Sequence, residues 1–345
     1  MKRITASAPG KLFLTGEYAV LAGAPALVAA VDRHARVHVA LEPGAGPLVV
    51  ESLAEGQRRV VADPAHDALA LGGGDAGAVL AALRVTRDAA PSLAATRAEV
   101  LVDTRGFLAD GRKLGLGRSA ATVTAAVAAF LAAVGRQDRR EVLDAALAAH
   151  ALFQDGRGSG ADVAAAVRGG VLEFRRDGAR VAVVPRTLPR GLHLLVAWSG
   201  EGVATDPMLQ RFAARTREPH ALGELVAVSQ RAAAAVERGE GAELLDAVAS
   251  TADLLARLGD ETGIAIVTPA LARLMTAARR VGAVAKPSGA GGGDCGIALA
   301  TSAAQAEAVR AAWRAEGIMP LPVAIAAEGV RHEERDEAAR EVSLG

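Results

Sequence analysis

Only four lysines stand among 35 arginines, and three of the four, Lys11, Lys113 and Lys286, lie in or beside glycine-rich segments. Two of those segments also hold the sole tyrosine, Tyr18, and the sole cysteine, Cys295. Cations beside permissive backbone suit anion binding. In Ala8-Pro9-Gly10-Lys11-Leu12-Phe13-Leu14-Thr15-Gly16-Glu17-Tyr18, the lysine enters a strand heading for a core, a costly place for an ammonium unless it meets an anion; a solvated turn lysine is the plain alternative. In Lys113-Leu114-Gly115-Leu116-Gly117-Arg118-Ser119-Ala120-Ala121, glycines can turn backbone N–H groups toward one point at a helix start, where the helix dipole adds positive potential. Such a loop cradles phosphate, though a simple tight turn reads similarly. It is not a Walker A loop, because no G-x-x-x-x-G-K-[ST] occurs.

The third segment, Lys286-Pro287-Ser288-Gly289-Ala290-Gly291-Gly292-Gly293-Asp294-Cys295-Gly296, puts five glycines in eight residues. Backbone this permissive costs folding entropy and calls for a reason; a flexible surface loop would be one, but the flanks are apolar. A fourth, His150-Ala151-Leu152-Phe153-Gln154-Asp155-Gly156-Arg157-Gly158-Ser159-Gly160-Ala161-Asp162, runs into a helix whose first turn holds Asp162. That carboxylate either caps the helix or faces the anion site. The seven histidines show no metal-like spacing beyond His34 and His38, which share one strand face.

Composition narrows the class of partner. The 345 residues carry 39 Lys plus Arg against 39 Asp plus Glu, with 51% hydrophobic and 3% aromatic residues, so the basic excess expected of nucleic-acid or membrane-surface binding is missing. A small-molecule substrate is expected. One cysteine excludes an intramolecular disulfide and a Cys-based zinc site, which fits a reducing cytoplasm. Glycines and charges interrupt every candidate leader core near Met1-Lys2-Arg3, and no apolar run reaches membrane-spanning length.

The elements that must position these segments form an α+β pattern, with strands in runs rather than in strict alternation with helices. Strands are predicted over 4–8, 12–15, 26–31, 35–39, 48–52 and 58–62, an antiparallel meander, then a helix over 75–88 and a strand over 97–103. Helices over 119–134, 138–153 and 160–167 precede strands over 171–175 and 180–184. After the proline-punctuated stretch 185–189 come a strand over 192–198 and helices over 207–215, 222–238, 242–258 and 268–280. Strands over 294–300 and 322–326 flank a helix over 303–314. The expected domains are 1–190 and 191–345, with the tail after Glu328 a solvated end.

Taken in order, Pro9-Gly10-Lys11 with Gly16-Glu17, Gly115-Leu116-Gly117-x-Ser119-Ala120-Ala121 and Lys286-Pro287-Ser288-Gly289-Ala290-Gly291-Gly292-Gly293 resemble the three motifs of the GHMP kinases. Within that family, Gly16 to Leu21, Ala30 to Arg33, Gly158 to Ala164 and Gly292 to Gly296 are most similar to the branch that phosphorylates 5-phosphomevalonate.

The resemblance implies a ribosomal-protein-S5-like N-terminal half, a ferredoxin-like C-terminal half, and ATP with Mg²⁺ between them. It implies that Gly115, Leu116, Gly117, Arg118, Ser119, Ala120 and Ala121 hold the ATP phosphates, with Ser119 also reaching the metal. Lys11 and Asp162 would be catalytic. Tyr18, Arg33, Ser159, Gly160, Ser199, Gly200, Thr205, Lys286, Ser288, Gly289, Ala290 and Gly291 would face the substrate.

Two positions depart from the family pattern. Arg118 stands where a serine is usual, and is expected to point at the phosphates or outward. Ala151 stands where mevalonate kinases supply a metal-binding Glu. A mevalonate or other small-alcohol kinase, and a non-catalytic ligand-binding protein of the same fold, are the alternatives.

Overall fold

The computed structural model describes residues 2–44, 46–61, 72–178, 180–202, 205–215 and 218–333. Its first sheet is built on two long strands, β1 (Lys2–Thr15) and β2 (Ala26–Pro43), paired antiparallel with register shifts at Pro9/Gly10 and Phe13/Thr15. The sequence suggested separate strands either side of Gly10 and of Asp32. In fact each strand runs through, and bulges absorb the irregular residues. Pro9 pairs with His34 and Gly10 with Val31, so Asp32 and Arg33 are the extra residues and leave the ladder.

Next along the chain come β3 (Leu48–Ser52), β4 (Gln57–Val61) and β5 (Thr96–Asp103), with helix α1 (Gly74–Ala89) between β4 and β5. They do not make the expected meander. β5 inserts beside β2 and pairs with β3 in parallel, because α1 carries the chain back across the sheet before β5 starts. A small hairpin, β6 (Leu108–Ala109) and β7 (Arg112–Lys113), leads into α2 (Arg118–Ala133). α3 (Arg139–Phe153), α4 (Ala161–Arg168), β8 (Val171–Asp177) and β9 (Arg180–Arg186) follow, β8 pairing with the first half of β2. The alanine-rich α2 is buried from Ala120 to Ala133, since small side chains let the sheet and three neighbouring helices approach it closely.

The second sheet is antiparallel. It contains β10 (His193–Trp198), β11 (Val284–Pro287), β12 (Cys295–Ala300) and β13 (Met319–Leu321) in the order β11-β12-β10-β13. Helices α5 (Thr205–Ala213), α6 (His220–Arg238), α7 (Gly241–Thr262), α8 (Pro269–Arg280) and α9 (Ala303–Ala315) accompany it. One apolar cluster, holding Leu12, Leu14, Leu27 and Val31 from the first sheet with Leu225, Leu255 and Ile297 from the second half, joins the two.

Three expectations need correction here. β11 was not anticipated, being four residues that end in proline. The strand expected over 322–326 is β13 displaced upstream, with a single bridge between Val31 and Ile325 left at its old place. Part of the expected solvated tail is β14 (Arg331–Glu333), which pairs with β1 and returns the chain to the first sheet; residues 334–345 lie outside the described ones. No described helix is long and apolar enough to cross a membrane.

Candidate active site

The bulge at Pro9/Gly10 brings Lys11 against the glycine loop before α2. The backbone N–H of Lys11 donates to Leu116 O at 2.8 Å, tying β1 to that loop. Gly117 takes φ +82° at the helix start, and a Cβ there would lie 2.8 Å from Lys11 Cγ, so both conformation and space require glycine. Across the gap, a Cβ added to Gly289 would lie 3.3 Å from Lys11 Nζ. The ammonium therefore stands between the second and third glycine segments. It lies 5.2 Å from the Phe13 ring centroid, and no carboxylate pairs with it among the described ion pairs of these loops. Ser119, in the first turn of α2, is half-buried, and beside it the first backbone N–H groups of the helix have no intrahelical acceptor.

The third segment is fastened from below. Lys286 and Glu17 are both fully buried and form an ion pair through Nζ and Oε1, with Nζ also donating to Pro287 O at 2.6 Å. Burial pushes the Lys286 ammonium below its ordinary value, and Glu17 acts in the opposite sense. Glu17 Oε1 also accepts from Gly289 N at 3.3 Å. Ser288 Oγ accepts from Phe13 N at 2.9 Å, and Tyr18 donates its hydroxyl to Ala290 O at 2.6 Å from a backbone held at φ 59°. Three expected substrate contacts, the side chains of Lys286, Ser288 and Tyr18, are thus committed to holding the loop against β1. The Gly289 N–H and the Ala290 carbonyl are engaged in the same way, by Glu17 and Tyr18. The loop also meets the second segment, since a Cβ at Gly115 would fall 2.6 Å from Asp294 Oδ2.

Arg118 takes neither expected direction. Its Nη2 lies 2.8 Å from Glu55 Oε1 and its Nε 3.9 Å from Asp75 Oδ1, with the arginine side chain 16% exposed. Asp75 is itself buried and accepts hydroxyl hydrogen bonds from Ser52 at 2.7 Å and Thr104 at 2.9 Å. The guanidinium is drawn to this acidic pair at the start of α1, which sequence reasoning missed, and Ser119 is left clear of it.

Asp162 sits in the first turn of α4, where Oδ1 accepts from Val163 N at 3.0 Å and Oδ2 lies 4.0 Å from His150 Nε2. No described contact links Asp162 to Lys11. Ser159 Oγ accepts from Ala161 N at 3.2 Å, and Gly160 is the residue before α4. Ser199 packs its backbone on Asp294, its N–H donating to Asp294 O at 2.8 Å, so the Ser199-Gly200 turn borders the third segment. Thr205 opens α5. Arg33 turns away, Nη2 donating to Pro322 O at 2.8 Å, because the bulge that frees it faces that segment. Arg157 pairs with Asp155 at 2.6 Å on the surface.

Residues 79–170 match the family described as GHMP kinases N terminal domain, and residues 215–318 that described as GHMP kinases C terminal. The chain is 37% identical to a phosphomevalonate kinase of Streptomyces sp. (strain CL190), over 95% of this chain and 99% of that one. It is 34% identical to a mevalonate kinase of Aeropyrum pernix, over 85% and 87% of the two chains. A solved structure of Streptococcus pneumoniae phosphomevalonate kinase in complex with phosphomevalonate and AMPPNP superposes with a TM-score of 0.77 at 24% identity, covering 94% of this chain and all of that one.

Proposed function

Because the chain belongs to the GHMP kinase family, we propose that it transfers the γ-phosphoryl group of ATP to the phosphate of 5-phosphomevalonate, giving 5-diphosphomevalonate and ADP. The observation that carries the reading is Lys11, an ammonium set between two glycine loops without a carboxylate partner among the described ion pairs. In the reaction a phosphate oxygen of the acceptor forms the new bond to the γ-phosphorus while the bond to the β-phosphate oxygen breaks. Such transfer needs positioning and charge neutralisation more than covalent help.

The donor set suits ATP. Gly115 to Ala121 offer backbone N–H groups at a helix start, where a side chain at Gly117 would collide with Lys11. Ser119 Oγ would hold Mg²⁺ together with phosphate oxygens, and the metal, when bound, spreads the negative charge of the triphosphate. Lys11 holds the γ-phosphate and the acceptor in one field. Asp162, with Oδ1 on the Val163 N–H, orients the acceptor and takes any proton it still carries. Since a phosphate monoester is mostly dianionic at pH 7, that second duty is small.

Five cations near the motifs would favour a phosphorylated acceptor, but Arg118, Lys286 and Arg157 are paired with carboxylates and Arg33 bonds a carbonyl. Support for this acceptor over mevalonate therefore rests on Lys11 and on the greater identity to the phosphomevalonate kinase relative. ADP release measured with both acceptors in competition tests it. The expected preference for 5-phosphomevalonate is about a hundredfold in kcat/KM, roughly 3 kcal/mol. Equal use of the two would sink the assignment to 5-phosphomevalonate while leaving the kinase fold standing, and ATP binding without turnover on either would favour a non-catalytic protein.

A further inference from the structure

His150 lies in the last turn of α3, and its side chain is 4% exposed. Its Nε2 is buried with no hydrogen-bond partner and faces Asp162 Oδ2 at 4.0 Å. A buried ring nitrogen left unpaired is costly, so a partner is wanted, and the nearest described carboxylate oxygen is that one.

We infer that His150 is a positioning residue for the transfer step: in the working enzyme its ring donates Nε2–H to Asp162 Oδ2 and fixes the carboxylate that faces the acceptor. The inference rests on the reading of Asp162 as that carboxylate. Forming the bond needs the two atoms about 1 Å closer than they stand, a shift available to a side chain at a helix start. With Val163 N–H already on Oδ1, both oxygens would then be held. The carboxylate stays 23% exposed and can still meet a substrate. α3 and α4 are joined by the glycine-rich turn through Gly158 and Gly160, both at positive φ, which allows His150 to sit over the start of the next helix. Proton inventory does not change in this role: His150 keeps its hydrogen throughout.

The test compares His150→Leu, which fills the space without a donor, with His150→Gln, whose amide can donate at a similar reach. The leucine variant is expected to lose about tenfold or more in kcat, with KM for ATP within about twofold and the melting temperature preserved. The glutamine variant is expected to regain most of that turnover. In an Asp162→Asn background the leucine change should cost nothing more, because His150 acts through Asp162. A ring N–H signal of His150 in the nitrogen-15 NMR spectrum should move on Asp162→Asn. Should His150→Leu fail to fold, His150→Met takes its place. Full turnover in the leucine variant, equal loss in both variants, or losses that multiply in the double variant would overturn the inference while leaving the kinase assignment intact. An Asp162→Asn enzyme that turns over normally would instead remove the reading of Asp162 on which it stands.

Discussion

Arg118 Nη2 lies 2.8 Å from Glu55 Oε1, across 63 residues of sequence, and this pair bolts the start of α2 to the turn between β3 and β4. Glu55 also accepts from Asp75 N through both oxygens at 3.3 Å, so one carboxylate caps α1 and anchors α2. A long cation in the phosphate loop is thus accounted for by structure.

Arg118→Ser is therefore expected to leave kcat within about threefold of the parent and to lower stability by about 1–2 kcal/mol, read by urea denaturation. Glu55→Gln should lose a similar amount, and the double variant less than the sum, because the two act as a unit. If Arg118→Ser folds normally yet stops turning over at saturating ATP, the guanidinium must leave Glu55 for the nucleotide during the cycle.

Lys286 and Glu17 carry the opposite risk, since both side chains are at most 1% exposed. Removing one partner leaves a buried charge alone, at a cost of about 3–5 kcal/mol. Lys286→Met is expected to show that loss in denaturation, and Lys286→Met with Glu17→Gln to recover a large part of it. Activity should fall in the single variant through displacement of the Gly289 loop, since Glu17 Oε1 is held in place by the same pair that lets it accept from Gly289 N. An unchanged midpoint in the single variant would mean the pair is not formed in solution.

His34 and His38 make folding sensitive to mild acid. Burial lowers both rings below the ordinary histidine value; for His34, Arg331 and Arg36 act in the same sense. An unfolded chain then takes up protons near pH 6.5 that the native rings refuse. The stabilising difference is complete above that pH and is lost as pH falls through it, levelling off below the native values. His38 Nδ1 is bonded to Thr5 Oγ1 at 2.9 Å, which ties the titration to the β1–β2 ladder. Urea midpoints at pH 7.5 and 5.5 should therefore drop in the parent and drop less in His38→Gln; equal drops would locate the acid sensitivity elsewhere.

What the sequence disclosed and what it hid divide by range. Lys11 and the glycine segments were legible because backbone conformation and helix starts are written within a few residues. The structure then sets Lys11 between Gly117 and Gly289. Arg118 was misread because its partner is far along the chain, in a loop whose own sequence carries no signal. Lys286, Ser288 and Tyr18 sit in motif segments, yet their side chains face β1 and the loop backbone instead of the gap, which motif position alone cannot distinguish. β14 was hidden in a charged tail because three residues on a sheet edge show no periodicity. His150 was visible only as the residue opening a segment. Its meaning depends on how α3 and α4 pack.

Lys11 provides the sharpest separation of structure from chemistry. As an ammonium on an interior strand without a carboxylate partner in the described ion pairs, it costs folding energy, and Phe13 at 5.2 Å offsets only part of this. Lys11→Met should therefore leave stability unchanged or raise it slightly, by up to about 1 kcal/mol. Turnover should fall about a hundredfold to a thousandfold, the size of effect seen when one donor to developing charge is lost, and KM for the phosphorylated acceptor should rise. Lys11→Arg keeps the charge but brings a planar, longer head into a space bounded by Gly117 near Cγ and Gly289 near Nζ, so it should recover little of the loss. Single-turnover measurement at saturating ATP and acceptor isolates the chemical step from product release. A methionine variant within about fivefold of the parent in that experiment, with its fold intact, would mean that the cation serves only the packing of the two glycine loops.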